Sequence, residues 1–354
     1  MPGDPVIVDR LPVARVAAAH RRRVADRVLA RPSIAAVLAL LVVVAVFGVR
    51  VPGLLTLEGL AGVLDAAALL GIGGVAVGLL LVGGHFDLSI GTVTVASAVL
   101  TGVLAGPMEW GIWPALAVSL AAALTVGLVN GWLVVRTGLP SFLVTLATAL
   151  VLQGTTVSAL PLVAGGPRIT GLDEAPGWSS AAALFGSTAE VGGGVFRVSL
   201  LWWLAGTAGA GWLLWRTRFG NDVLAMGSSR RAARELGVPV QRTTLTLYAL
   251  TATAGWLLGT LALVPAASVA ATPSLILAID FVVVAVIGGC LLTGGYGSMA
   301  GAAAGALLYA VARRGVELAG WDPRWSQALL GVFLLVALLV GGVVRARLRA
   351  APRS

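Results

Sequence analysis

The sequence predicts an all-α, polytopic membrane protein of about ten transmembrane helices, some short or broken, with both termini in the cytoplasm. Three observations carry this. Hydrophobic residues make up 58% of the 354 residues and charged residues only 11%, whereas soluble domains carry about 25% charged residues. The apolar residues fall into long uncharged runs. The 24 basic residues are all arginine, and they cluster between those runs. A net charge of +9 suggests nucleic acid at first sight. Arginines clustered at the two ends and in one central loop instead mark the cytoplasmic side of a membrane protein, and this argues against a nucleic-acid partner.

A spanning helix needs about 20 apolar residues. Ten segments qualify as candidates: Ser33–Val49, Gly59–Val82, Gly91–Leu104, Ile112–Val135, Ser141–Leu160, Val198–Trp215, Thr243–Pro265, Ile276–Cys290, Met299–Val311 and Gln327–Val344. The third, eighth and ninth are short. Gly83-Gly84 precedes the third, and Gly288-Gly289 and Gly294-Gly295 flank the eighth and ninth. Short, glycine-interrupted segments in both halves of a transporter are the sign of broken helices lining a path. Tilted or re-entrant packing helices would leave the same pattern.

Ten spans put both ends on one side. If that side is the cytoplasm, it receives the seven arginines from Arg10 to Arg31, Arg136, the six from Arg216 to Arg242 and the four from Arg345 to Arg353. Arg50, Arg168, Arg197, Arg313, Arg314 and Arg324 remain outside. The opposite orientation would invert the positive-inside bias. The expected organisation is a cytoplasmic arginine-rich segment over 1–32, a transmembrane domain over 33–344 and a cytoplasmic tail over 345–354. The first apolar stretch ends in Phe47-Gly48-Val49-Arg50, without the small-residue cleavage site of a signal peptide, and is read as an uncleaved span. The segment 161–197 is an extracytoplasmic loop with room for a short helix but not for a solute-binding domain. One cysteine, Cys290, precludes an internal disulfide and suits a packed small side chain. With two histidines beside it, a His/Cys metal site is not expected.

Two stretches carry chemistry. The central loop, 216–242, reads Gly227-Ser228-Ser229-Arg230-Arg231-Ala232-Ala233-Arg234-Glu235-Leu236-Gly237-Val238-Pro239 at its heart. Ser228 or Ser229 can cap a helix that starts at Arg230. Gly237 suits the left-handed residue that closes it, and Pro239 forbids continuation. Two turns are unstable alone in water, so this helix must dock on something. Ala232 and Ala233 permit close approach, while Arg230, Arg231 and Arg234 offer charge to an acidic partner or to anionic lipid headgroups. The second stretch is Gly83-Gly84-His85-Phe86-Asp87-Leu88-Ser89-Ile90-Gly91. An aspartate at membrane depth is expensive and functional by default. Asp87 can line a translocation path or cap the amides at a helix break. Ser89 is a candidate cap for the third helix and a donor to a polar solute. Asn130 and Asp280 are further candidates for the path, while Asp65 and Gln153 lie within other spans.

No lysine is present, so the chain has no lysine for a nucleotide-binding P-loop. If ATP drives this protein, ATP is bound by another chain, and no cofactor or metal is expected on this one. No clustered acid/base set marks a lipid-modifying enzyme. A secondary transporter using Asp87 or Asp280 for ion coupling remains an alternative.

With these residues in view, the chain from about Leu54 to Val344 resembles the permease subunit of ribose/xylose-type sugar ABC importers. Four stretches carry the likeness: Gly84 to Gly91; Val129-Asn130-Gly131 with Gly138-Leu139-Pro140-Ser141-Phe142-Leu143-Val144-Thr145-Leu146; Ala225-Met226-Gly227 through Ala232-Ala233 to Gly237-Val238; and Val286-Ile287-Gly288-Gly289 to Gly294-Gly295-Tyr296-Gly297-Ser298. The resemblance implies a homodimer in the cell membrane, a cytoplasmic ATP-binding subunit pair and an extracytoplasmic solute-binding protein. It makes the short helix at 230–236 the coupling helix seated in the ATPase. It also implies that no covalent chemistry occurs on this subunit. Ser229 stands where the family has Asn, and Arg230-Arg231 stand where it has acidic or neutral residues, so a more acidic cleft on the cognate ATPase is expected.

Overall fold

The computed structural model describes residues 32–350 except Ser274, with side chains over 36–339. The arginines before Pro32 and those of the C-terminal tail lie outside the described side chains. Each of the ten apolar segments coincides with a helix. These are α1 (Pro32–Arg50), α2 (Leu57–Val82), α3 (Ile90–Ala105), α4 (Ile112–Thr137), α5 (Ser141–Ala164), α7 (Ser199–Arg216), α10 (Val240–Ala266), α11 (Leu275–Ile287), α12 (Met299–Leu318) and α13 (Trp325–Ala350). By length and composition alone, α2, α4, α5 and α10 are long and apolar enough to cross a membrane.

Helix α2 is the axis of the bundle, packed by α12, α7, α11 and α10. Ala67, Ala68, Val77, Leu80, Leu81 and Val82 on it are almost fully buried. Its glycines admit neighbours: a side chain at Gly73 would strike the Phe281 ring of α11, and one at Gly74 would meet Val284 at 2.7 Å. Large apolar side chains instead face outward on α4 and α5, among them Trp132, Leu143, Leu150 and Val151, as expected of surfaces meant for lipid or another chain.

Helix α12 runs seven residues past the apolar segment that ends at Val311. Arg313 and Arg314 both pair with Glu317, at 3.4 Å and 3.2 Å and at i,i+4 and i,i+3 spacing, which supports the extra turns. Helix α5 likewise continues to Ala164 and closes on Gly165, at φ 71°, so the outer segment starts later than Pro161. That segment holds a short helix, α6 (Trp178–Phe185), as the sequence allows. It also holds strands that the all-α expectation omits. Strand β1 (Arg168–Ile169) pairs antiparallel with β4 (Val269–Ala270), and β2 (Thr188–Val191) with β3 (Gly194–Arg197). The β2–β3 turn is Gly192-Gly193, at φ 55° and 80°, the left-handed pair that a two-residue hairpin favours. These strands mark one end of the bundle, the outer end.

The central loop is more structured than its sequence suggested. Helix α8 (Arg218–Ser228) precedes the expected short helix, α9 (Arg230–Glu235). Thr217 caps α8 by accepting from Gly220 N at 3.2 Å, and Val223 and Met226 bury its apolar face.

Candidate functional site

The four stretches that resemble importer permeases are separated by up to two hundred residues, and the fold brings them to one place. Its centre is the break between α2 and α3. Helix α2 ends at Gly83, and Gly84 turns left-handed at φ 77°. The chain then crosses five residues before α3 begins. Polar backbone exposed at a helix break needs partners when it is buried, and here side chains from α5 and α10 supply them. Phe86 N donates to Ser141 Oγ at 2.9 Å, Leu88 N to Thr145 Oγ1 at 3.1 Å, and the Tyr248 hydroxyl to Phe86 O at 3.0 Å.

Asp87 lies within this wiring, 2% exposed. Its Oδ1 accepts from Ser89 N at 2.8 Å and from Ser89 Oγ at 2.6 Å, and its Oδ2 accepts from Thr251 Oγ1 at 3.0 Å. The cap of α3 is thus the carboxylate of Asp87. Ser89 makes no side-chain cap of its own; its hydroxyl donates to Asp87 and accepts from Asn130 instead. Asn130 Nδ2 donates to Ser89 Oγ at 3.0 Å, and Thr148 Oγ1 donates to Asn130 Oδ1 at 2.6 Å. A continuous chain of hydrogen bonds therefore runs Thr148–Asn130–Ser89–Asp87–Thr251, tying α5, α4, the break and α10.

Asp280 is not part of it. It borders a cavity of ≈ 270 Å³ at the outer end with Tyr309, Arg313, Glu317 and Arg324. Of the other polar residues within the predicted spans, Asp65 pairs with Arg197 at 3.4 Å and accepts from Ser199 Oγ at 3.0 Å. The buried Gln153 Oε1 has no hydrogen-bond partner.

The second broken element joins the first through glycine contacts. Gly294 and Gly295, at φ 80° and 77°, carry the chain from α11 toward α12. Gly295 N donates to Val82 O, the last residue of α2, at 2.8 Å. Gly227, near the end of α8, is wedged between these two. A Cβ there would overlap Val82 O and sit 2.6 Å from Gly295 N. The similar stretches Leu81-Val82-Gly83-Gly84 and Leu292-Thr293-Gly294-Gly295 thus form two glycine turns in mutual contact. Cys290 beside them is buried, and Ser298 caps α12 by accepting from Gly301 N at 3.1 Å.

Helix α9 has the start and stop read from the sequence. Ser229, not Ser228, is its cap and accepts from Ala232 N at 3.4 Å; Ser228 Oγ instead donates to Leu224 O. Gly237 N bonds to Arg234 O and Val238 N to Ala233 O, both at 3.0 Å, the double closure of a glycine-terminated helix. Its arginines divide. Arg230 Nη2 donates to Gly84 O at 3.2 Å and lies 3.1 Å from both ring nitrogens of His85. A guanidinium only donates, so His85 presents a lone pair to it. If that nitrogen is Nδ1, the Nε2–H faces Thr244 Oγ1 at 3.2 Å, whose hydroxyl reaches Met226 Sδ at 3.5 Å. Arg231 instead points away, with its side chain 93% exposed and Glu235 as its partner. Ala233 is buried, while Ala232, Arg234 and Leu236 are exposed.

The hydroxyls Ser141, Thr145, Thr148 and Thr244, Tyr248, Thr251 were not singled out in the sequence, although a signal was there. In both helices they recur at spacings of four and three, which is one helical face.

A bundle of apolar helices with two broken elements in backbone contact, and a small helix pair resting on both, defines a membrane transport permease. The chain belongs to the family described as the branched-chain amino acid transport system permease component, whose profile matches residues 59–338. Curated relatives include a fructose import permease from Rhizobium meliloti, 32% identical over 80% of this chain and 77% of the relative. An autoinducer 2 import permease from Salmonella paratyphi A is 29% identical, covering 83% and 86%. A ribose import permease from Escherichia coli is 26% identical, covering 86% and 91%. No solved structure matches the chain. Such proteins are permease components of multi-pass importers and not themselves enzymes, and this chain is one of them.

Proposed function

We propose that the chain is the membrane permease of an ABC importer for a sugar or a similar small polar solute. It spans the membrane ten times with both termini in the cytoplasm, works as a homodimer, receives solute from an extracytoplasmic binding protein and is driven by ATP on a separate subunit. The solute class follows the fructose, autoinducer 2 and ribose importers among its relatives. The observation that carries the mechanism is the seat of Gly227. Helix α8 touches the backbone of both broken elements at once, so movement of the α8–α9 pair is delivered to the two places where helices are interrupted. The outward side of α9 suits a docking partner: Arg231 and Arg234 offer charge, and Leu236 is 82% exposed beside them. An apolar side chain flanked by Arg234 and by Arg231, itself paired with Glu235, fits an acidic-rimmed cleft on the ATPase. Secondary transport fits less well, because Asp87 already accepts from three donors.

The division between Arg230 and Arg231 makes the proposal testable. In cells expressing the complete importer, charge reversal at both positions is expected to cut ATP-driven uptake about tenfold or more, with membrane abundance unchanged. Singly, Arg231→Glu should weaken co-purification of the ATPase. Arg230→Met should leave co-purification intact and lower the solute moved per ATP, because the Arg230 guanidinium reaches inward to Gly84 and His85 and not outward to a partner. Wild-type uptake in the double reversal would refute docking through α9.

A further inference from the structure

Between α2, α3, α10, α11 and α12 at the outer end lies a cavity of ≈ 360 Å³ that none of the importer-like stretches lines. Asp65 on α2 is seventeen residues from Val82, which puts the cavity about 25 Å from the Gly227 contact at 1.5 Å rise per residue. Its rim carries two carboxylates and two guanidiniums: Asp65, Glu317, Arg313 and Arg314. All four are in ion pairs, while Arg314 Nε is buried with no hydrogen-bond partner. Glu317 holds Arg313 at 3.4 Å and Arg314 at 3.2 Å, and Arg197 and Ser199 hold Asp65. Gly62 makes this possible, since a Cβ there would stand 3.0 Å from Arg314 Nε. The inner wall is apolar, with Phe281 and leucines of three helices, plus the hydroxyl of Thr94.

We propose that this cavity, within a single subunit, is an entry subsite for a neutral polyhydroxylated solute of monosaccharide size. The inference rests on the import function proposed above and assigns the place where the solute first rests. The rim is balanced in charge, so it favours neither anions nor cations, and a cation would have to break an existing pair, while the unpartnered Arg314 Nε–H can donate to a neutral hydroxyl. Hydroxyl groups both donate and accept, and so can bridge a carboxylate and a guanidinium without separating them. The volume is at the small end of ligand pockets, about 300–1,000 Å³. A zwitterionic amino acid has the apolar part to match the inner wall, but its ammonium group needs a free carboxylate, and Asp65 and Glu317 are both already paired.

The test is saturation-transfer NMR on the full chain in lipid nanodiscs, with D-ribose, D-fructose, L-leucine and D-gluconate as separate probes. At least one of the two sugars should receive saturation, and leucine and gluconate should not. Glu317→Gln and Asp65→Asn should each weaken sugar binding about tenfold, the effect of removing one charge-assisted hydrogen bond. Ala66→Phe, which fills the cavity and touches no charge, should abolish it. Size-exclusion profiles identify any variant that fails to fold, in which case Glu317→Gln, at the exposed end of α12, decides. Saturation of neither sugar, equal saturation of leucine, or sugar binding undiminished in folded variants would each overturn the subsite. Co-purification with the ATPase does not depend on this cavity, so intact co-purification without sugar binding defeats the subsite alone.

Discussion

Gly227→Val is expected to abolish uptake and to reduce the yield of monodisperse protein roughly tenfold, because overpacking costs about 1–3 kcal/mol and losses of that size change abundance several-fold. The reason is local. Gly227 lies where the end of α8 meets Val82 O and Gly295 N, and those two are themselves hydrogen-bonded at 2.8 Å. Any Cβ at 227 must displace one of them, and both are backbone atoms of broken elements with nowhere to rotate. Alanine should therefore be nearly as damaging as valine, which distinguishes a backbone clash from a simple excess of volume. Gly206→Ala in α7 is the control, since a Cβ there meets nothing within 4 Å. It should leave yield unchanged or raise it slightly, as alanine is the better helix former by about 1 kcal/mol. Fluorescence-detected size exclusion of tagged variants, followed by uptake in cells, reads both effects. Normal yield and uptake in Gly227→Val would mean that α8 does not press on the two breaks, and the proposed route for mechanical coupling would fail with it.

What the sequence made legible follows from how local each signal is. The ends of α9 were readable because Ser229, Gly237 and Pro239 act within a turn of the residues they govern. The broken helices were readable because glycine pairs beside shortened apolar runs are also local. Helix α8 was not, since its apolar face is only Val223 and Met226 with part-buried neighbours. The run Arg216 to Ser228 looked like loop until α2 and α10 supplied something for that face to cover. Arg230 and Arg231 are adjacent and chemically identical. That one returns to the bundle and the other faces away depends on where Gly84 and His85 lie, about 145 residues earlier. The rim of the outer cavity was invisible for the same reason. Asp65 and Glu317 lie about 250 residues apart, Arg197, which holds Asp65, comes from a third region, and Arg313-Arg314 marked the end of an apolar segment in the sequence where the helix in fact continues.

Asp87 is the residue for which the sequence left two uses open, and a pair of substitutions separates them. Asp87→Leu removes the acceptor for Ser89 N and Ser89 Oγ in a site without water access. It is expected to cost about 3 kcal/mol or more, with stranded donors costing about 1–3 kcal/mol each, and to abolish uptake through loss of the α2–α3 break. Thr251 should suffer less, because its hydroxyl is also 3.0 Å from Tyr248 O. Asp87→Asn keeps the shape and one carbonyl oxygen. That oxygen can accept both Ser89 bonds, while the new amide donates to Thr251 Oγ1, whose own proton turns to Tyr248 O. The asparagine variant should therefore retain thermal stability and uptake near the parent protein, although it carries no charge. An ion-coupling carboxylate predicts the reverse, since asparagine can neither bind a coupling proton nor balance a cation and would be as inactive as leucine. Melting temperature in detergent, measured beside uptake in cells, gives the answer. A stable Asp87→Asn protein that transports nothing would show that the charge takes part in transport, and a stable one that transports normally makes Asp87 the fastener of the α2–α3 break.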